Sequence, residues 1–320
     1  MKKQVAGRMP SAVILPRKSF RQRAATDFRK NWVIYLIALL CLSYYFIFRY
    51  APMGGLAIAF KNYRPARGLG GSSWVGFKWF EQFFSSYYFP RLLRNTLTIN
   101  LLSLIIGSSL PILLALLLNE VRSSAYKRVV QTVTYMPHFV SLVVACGIVL
   151  NLLSYNGLFN QILGLLGKSP VAFSNIPEYF PWIYVFSDVW QNLGYNTIVY
   201  LAALSAINVE LFDAAAIDGC NRFQRILHVT VPGILPTIIL LLLMKVGSMM
   251  SIGYEKIILL YNDAVLERAD VFSSFVYRYG MLGGNYSYSA AVDLFNNAVN
   301  ILLLVIFNAI SRRASDISLW

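Results

Sequence analysis

Charge is scarce in this chain. Of its 320 residues only 13% are Asp, Glu, Lys or Arg, whereas soluble domains carry about 25%. Hydrophobic residues make up 57% and the mean hydropathy is +0.57. So few charges cannot coat a globule of this size, and lipid must cover much of its surface. A soluble enzyme, a secreted disulfide scaffold and a disordered chain are all excluded. Cysteine is also sparse. Cys41, Cys146 and Cys220 sit in or beside apolar runs with no paired spacing, which suggests neither a disulfide frame nor a zinc site. The two histidines, His138 and His228, are too isolated for a metal cluster. No His-Glu-x-x-His and no Gly-x-Ser-x-Gly occurs. Gly167-Lys168-Ser169 is not a phosphate-binding loop, because Ile162 stands where the leading glycine belongs. The chain is therefore expected to be no enzyme and to bind no metal or cofactor. It has no internal repeat and no second soluble domain.

What it does have is bilayer-length apolar runs. Six are expected, over about Trp32–Phe48, Leu97–Leu118, Val133–Leu153, Trp182–Ala206, Gly233–Ile252 and Ala290–Ile310. The fold class is all-α, a polytopic membrane protein with six transmembrane helices. The net charge of +14 points to membrane topology rather than nucleic acid, because the cations gather at chain ends and between apolar runs. Residues 1–31 form a basic arm with Lys2, Lys3, Arg8, Arg17, Lys18, Arg21, Arg23, Arg29 and Lys30. A cleaved signal peptide is the rival reading, but the arm is long and lacks a small-x-small cleavage site. With the arm in the cytoplasm, six spans return the C-terminus there, and Arg122, Lys127, Arg128, Arg222, Arg225, Arg312 and Arg313 fall on the same side. Lys61, Arg64, Arg67, Lys78, Arg91 and Arg94 fall outside, a mild violation that marks the first external segment as more than a connector. Its aromatic run Phe77, Trp79, Phe80, Phe83 and Phe84 reads first as an interfacial anchor and second as a contact for an external partner.

The segment 208–232, between spans four and five, is the most informative. Asn208 can cap a helix whose first turns hold Glu210 and Asp213, where acids suit the dipole. Ala214, Ala215 and Ala216 give that helix a smooth face. Gly219 ends or bends it, a second helix starts near Asn221, and Pro232 and Pro236 restrict the entry into the next span. The product is a short rigid cytoplasmic helix whose small-residue face would fit a partner's groove.

Asp213-Ala214-Ala215, Gly219 three residues on, and then Val229, Val231 and Pro232 resemble the EAA loop of binding-protein-dependent ABC importers, with Asp for Glu and Val for Ile and Leu. The resemblance covers nearly the whole chain and is to the branch of sugar permeases for polysaccharide-derived oligosaccharides, such as alginate and pectin fragments. It is carried by Tyr50-Ala-Pro-Met-Gly-Gly-Leu-Ala-Ile-Ala-Phe-Lys61, Leu118-Asn-Glu-Val-Arg122, Tyr135-Met-Pro-His-Phe139, Tyr200-Leu-Ala-Ala-Leu204 and Ser318-Leu-Trp320. It implies a permease subunit of type I importer architecture: residues 32–320 as the transmembrane permease domain, in the bacterial cytoplasmic (inner) membrane, with both termini cytoplasmic. The implied partners are a second homologous permease, two ATPase subunits that bind ATP and Mg, an extracytoplasmic solute-binding protein, membrane lipid and an oligosaccharide. Glu210, Asp213, Ala214, Ala215, Asp218, Gly219, Arg222, Arg225 and Pro232 are the expected coupling residues. His228, in the same segment, is expected to meet the ATPase or the backbone.

A sugar path needs aromatic platforms and polar groups inside the bundle. Span four offers Asp188, Trp190, Gln191, Asn192, Tyr195 and Asn196. Span six offers Asn296, Asn297 and Asn300, of which Asn296 and Asn300 share a face. Span five adds Lys245, followed by Tyr254, Glu255 and Lys256. Polar groups in membrane helices also serve as helix glue, and the aromatics also pack. Lys245 can pair with an acid, snorkel, or attract an acidic sugar such as a uronate. His138 is expected to cap or pack at the start of span three. The alternatives are an ion-gradient carrier, an ABC permease for a non-sugar solute, and a membrane scaffold or sensor. Against the first, the sequence shows no paired broken helices.

Overall fold

The computed structural model describes residues 20–315. Lys2, Lys3, Arg8, Arg17, Lys18 and Ser318-Leu-Trp320 lie outside the described residues, and so does most of the expected arm. The chain divides into two compact units, one ending at Leu56 and one beginning at Ala57. The first is built on a helix, Phe20–Tyr45, bent at Asn31, where φ −117° and ψ 23° leave the helical region. Asp27 takes hydrogen bonds across that bend, from Asn31 Nδ2 at 2.7 Å and Tyr35 Oη at 2.5 Å. The apolar side chains from Trp32 to Phe48 are exposed, as a lipid-covered helix requires.

The second unit opens with an antiparallel pair of strands, Lys61–Asn62 and Ser73–Trp74, in the register Lys61 to Trp74. A short helix, Lys78–Phe84, follows. Among the described residues five helices are long and apolar enough to cross a bilayer: Asp27–Phe60, Tyr88–Glu120, Leu142–Leu165, Arg222–Gly247 and Tyr286–Arg313. The pair Pro177–Ser205 and Val209–Ile217, bent by 70°, supplies a sixth span and its elbow.

The boundaries differ from those expected, each for a physical reason. Span two begins at Tyr88, nine residues before Leu97, and so takes in Arg91. Arg91 is tolerated because Asp270, fully buried, accepts from it at 2.9 Å and from Arg278 at 2.5 Å. Asn95 of the same helix donates to the carbonyls of Glu267 and Asp270. Span three begins at Leu142 rather than Val133, because Pro137 breaks the helix Ser124–Tyr135 and Ser141 caps a new one. Span five ends at Gly247, and residues 248–253, of which 248–252 were expected in it, are unwound. Span six supplies their hydrogen bonds. Asn300 donates to the Gly247 carbonyl at 2.7 Å and accepts from the Met250 amide at 3.1 Å, and Asn296 donates to the Met250 carbonyl at 3.1 Å.

The core beside this break gathers Phe83, Leu92, Met250, Phe272, Phe275 and Val292. Phe83 is therefore no interfacial anchor, since it is wholly buried, whereas Phe77 and Phe84 of the same aromatic run are exposed. Span four packs along span two and against the Ser124–Tyr135 helix. Gly194 touches that helix so closely that a Cβ there would lie 2.3 Å from the Thr134 carbonyl oxygen. Gly194→Ala is expected to lower the thermal unfolding midpoint in detergent by several degrees. Gly147→Ala, which meets nothing within 4 Å, should leave it unchanged. Equal midpoints would contradict this packing.

Candidate functional site

The elbow is built by local caps. Asn208 Oδ1 accepts from the Glu210 amide at 3.0 Å and starts the helix Val209–Ile217. Gly219, at φ +75°, ends it, with Gly219 N donating to Ala216 O at 3.2 Å and Cys220 N to Ala215 O at 2.9 Å. This closure needs a left-handed residue, which glycine supplies without strain. Asn221 then opens the next helix with a reciprocal pair: its Oδ1 accepts from Gln224 N at 2.9 Å, and Gln224 Oε1 accepts from Asn221 N at 2.8 Å. From Arg222 the chain runs through a widened turn, Ile226–Thr230, directly into span five. His228 stays within the segment, its Nδ1 3.0 Å from the Gln224 carbonyl.

Of the expected coupling residues, Glu210, Asp213, Ala214, Asp218, Gly219, Arg222 and Pro232 are exposed and Arg225 is half-buried. Ala215 is buried and so supports the elbow from within. Sequence reasoning missed the largest exposed apolar groups, Ile217 at 86% and Phe223 at 72%, which flank the Gly219 turn. No local signal sets them apart, since Val209, Leu211, Phe212, Ile226 and Leu227 make the whole connection rich in apolar residues.

The polar residues of span four separate by helix face. Asp188, Asn192, Tyr195 and Asn196 share one side, at spacings of four, seven and eight. Trp190 points the other way, into an apolar groove with Ile148, Phe159 and Trp182. Gln191 is buried and donates to the Val140 carbonyl at 3.1 Å, so it ties two helices. Asn296 and Asn300 are committed to the unwound backbone. Tyr254 stacks on Tyr277 at 4.8 Å.

On the shared face a hydrogen-bonded chain runs across three elements. His138 Nδ1 lies 2.9 Å from Asn192 Oδ1, and its ring stacks on Tyr195 at 3.9 Å. Asn192 Nδ2 donates to Asp188 Oδ1 at 3.1 Å, and Lys256 Nζ donates to the same oxygen at 3.2 Å. Lys256 is buried and lies over the Tyr184 ring at 5.0 Å. Two cavities adjoin this chain. One of 170 Å³ is lined by Tyr184, Asp188, Lys245 and the unwound 248–253 backbone. The other, of 350 Å³, is lined by Gly107, Tyr195, Asn196, Tyr200 and Lys245. Lys256 is among the polar residues that follow span five in the sequence, whereas His138 carries no local signal as a member of this group and is brought in by tertiary packing.

A bundle of apolar spans around polar cavities, with a capped elbow between two spans, fits a membrane transport subunit. The family described as "Binding-protein-dependent transport system inner membrane component" matches residues 107–315, and the chain belongs to it. It is 41% identical over 286 residues to Protein LplB of Bacillus subtilis (strain 168), covering 89% of this chain and 90% of that one. It is 37% identical over 304 residues to the polygalacturonan/rhamnogalacturonan transport system permease protein YteP of the same organism, covering 95% of each. Among solved structures it resembles a chain of a bacterial ABC transporter involved in the import of the acidic polysaccharide alginate. That match has 40% identity and a TM-score of 0.85, over 92% of this chain and 99% of that one. A second structure, the alginate transporter in complex with an alginate pentasaccharide-bound periplasmic protein, matches at 40% identity and TM-score 0.86, over 93% and 100%. The protein is thus a multi-pass inner-membrane permease subunit of the ABC importer class, without a catalytic role of its own.

Removing Asp188 strands the Lys256 ammonium in the bundle. Asp188→Ala is expected to destabilise the protein by about 1–2 kcal/mol, less than for a fully buried pair because the carboxylate is partly exposed, while Asp188→Ala with Lys256→Met recovers most of that loss. Unfolding in detergent measures both. Equal destabilisation of the single and double variants would contradict the pairing.

Proposed function

We propose that this chain forms half of the translocation path of an ATP-driven oligosaccharide importer. A second, homologous permease supplies the other half, and a solute-binding protein delivers the sugar from outside. Two ATPase subunits, which hold ATP and Mg, dock on the elbow. The elbow and both termini lie in the cytoplasm, in keeping with Arg29, Lys30, Lys127, Arg128, Arg222, Arg312 and Arg313 on one side. The sugar passes the face formed by Asp188, Asn192, Tyr195 and Asn196, with Lys245 opposite.

The observation that carries this reading is the elbow: a helix set at 70° to span four, locked by caps at both ends, with Ile217 and Phe223 exposed beside it. Rigid caps matter because a mechanical link must transmit displacement rather than absorb it. The residues after the Gly219 turn continue without a break into span five, so a push on the turn reaches the unwound segment and the cavities. Closure of the ATPases on ATP then biases the bundle between inward- and outward-facing states through their differential affinity for the elbow. The names of the similar protein YteP and of the alginate importers support a saccharide cargo over an ion-driven or non-sugar system.

Replacing Gly219 with Val forces a β-branched residue to φ +75° and breaks the turn. In the purified complex with its binding protein, Gly219→Val is expected to lower sugar-stimulated ATP hydrolysis by about tenfold or more. Assembly, read by co-purification of all subunits, should persist. Wild-type stimulation in an assembled Gly219→Val complex would contradict the coupling role.

A further inference from the structure

Lys245 is held by an arrangement that its own helix does not explain. Pro111 lies inside span two and has no N–H, so the carbonyl four residues earlier, that of Gly107, loses its helical donor. Lys245 Nζ fills that vacancy from span five, donating to Gly107 O at 2.7 Å and to Ser108 Oγ at 3.1 Å. Gly107 leaves room for the ammonium, since a Cβ there would lie 3.4 Å from Nζ. Both acceptors are neutral. Among the described residues no carboxylate forms an ion pair with Lys245, because Asp188, on the same cavity, is engaged by Lys256. Asp188 and Lys245 are the charged residues that line the two cavities, Lys256 is hydrogen-bonded to Asp188, and the Glu255 carboxylate lies beside Gly253 of the smaller cavity. An ammonium held only by neutral acceptors inside a membrane bundle is costly and is found where function needs it.

We propose that Lys245 is the specificity-determining residue that reads the charge of the cargo, binding a carboxylate of an acidic saccharide at the junction of the two cavities. This rests on the oligosaccharide importer reading above. Lys245 lines both cavities, so a carboxylate entering either one meets the same amine. Gly107 O and Ser108 Oγ keep the side chain pointed at that junction, and two of its three N–H groups are spent on them. The third is left for the cargo. A neutral sugar offers Lys245 no carboxylate to pair with. The aromatic and amide groups of Tyr195 and Asn196 on the larger cavity suit a sugar ring and its hydroxyls.

The test uses the complete importer in proteoliposomes with its binding protein saturated by one of two matched cargoes: a uronide oligosaccharide, and the same oligosaccharide with its carboxyl groups reduced to neutral alcohols. The readout is the ratio of their initial uptake rates, in which the binding protein's own contribution cancels between variants. The wild type is expected to favour the uronide. Lys245→Gln should lower the ratio by about tenfold or more, and Lys245→Arg should retain it. Should Lys245→Gln fail to assemble, Asn196→Asp decides. It leaves Lys245 and its two acceptors in place and adds a carboxylate to the larger cavity, which should lower the ratio as well. A wild type that does not favour the uronide, or a ratio that holds in the deciding variant, overturns the proposal. If both cargoes stimulate ATP hydrolysis and only the ratio is insensitive, this proposal alone fails. If neither does, the oligosaccharide reading falls and takes this proposal with it.

Discussion

Inside a bilayer no water is available to satisfy a stray carbonyl, amide or charge, so each must find its partner within the protein. Three such needs position the helices of the second unit. Pro111 frees the Gly107 carbonyl and Lys245 takes it, pinning span five to span two. Residues 248–253 leave the helix, and Asn296 and Asn300 take up their backbone groups, pinning span six to span five. Arg91 enters the apolar layer, and Asp270 meets it together with Arg278, pinning the segment after the break to span two. Each device is a local defect in one element repaired by a side chain from another, which makes it specific as well as stabilising.

The same economy shapes the site. A helix that breaks in a membrane exposes polar backbone, and such backbone is tolerated where it is buried or lines a cavity. Here it does both, facing Asp188, Tyr184 and Lys245 on one side and span six on the other. The break lies at the C-terminal end of the span whose N-terminal end is the elbow. One continuous helix therefore joins the surface proposed to meet the motor to the cavity proposed to hold the cargo. Alternating access needs two discrete arrangements of packed elements, and this helix, fixed at its cavity end by Lys245 and Asn300, is the element best placed to be moved as a unit.

What could be read from the sequence alone follows the range of the forces involved. The elbow was legible almost to the residue, because Asn208, Gly219, Asn221 and Gln224 act on neighbours within a few positions. The spans were legible from hydropathy, but their ends were not. Tyr88–Leu97 reads as too polar until Asp270, far along the chain, neutralises Arg91. The break at residues 248–253 was missed for the converse reason, since Met249, Met250 and Ile252 carry the apolar run on across Ser248 and Ser251 and the asparagines that compensate the unwinding lie some fifty residues away. Among the path residues, the face periodicity of span four already separates Trp190 from Asp188, Asn192 and Asn196. That Gln191, Asn296 and Asn300 join helices could only come from tertiary contacts. Pro111 announces an orphaned carbonyl, but nothing local says that Lys245 takes it.

The account stands on the elbow being the point where a separate ATP-driven motor grips this subunit. A photo-activated cross-linker placed at Phe223, the exposed aromatic beside the Gly219 turn, tests this directly in membranes that carry the assembled importer. The expected result is a single covalent adduct to the ATPase subunit whose yield changes between nucleotide-free and ATP-trapped states. Adducts confined to lipid or to this chain itself, in both states, would contradict it.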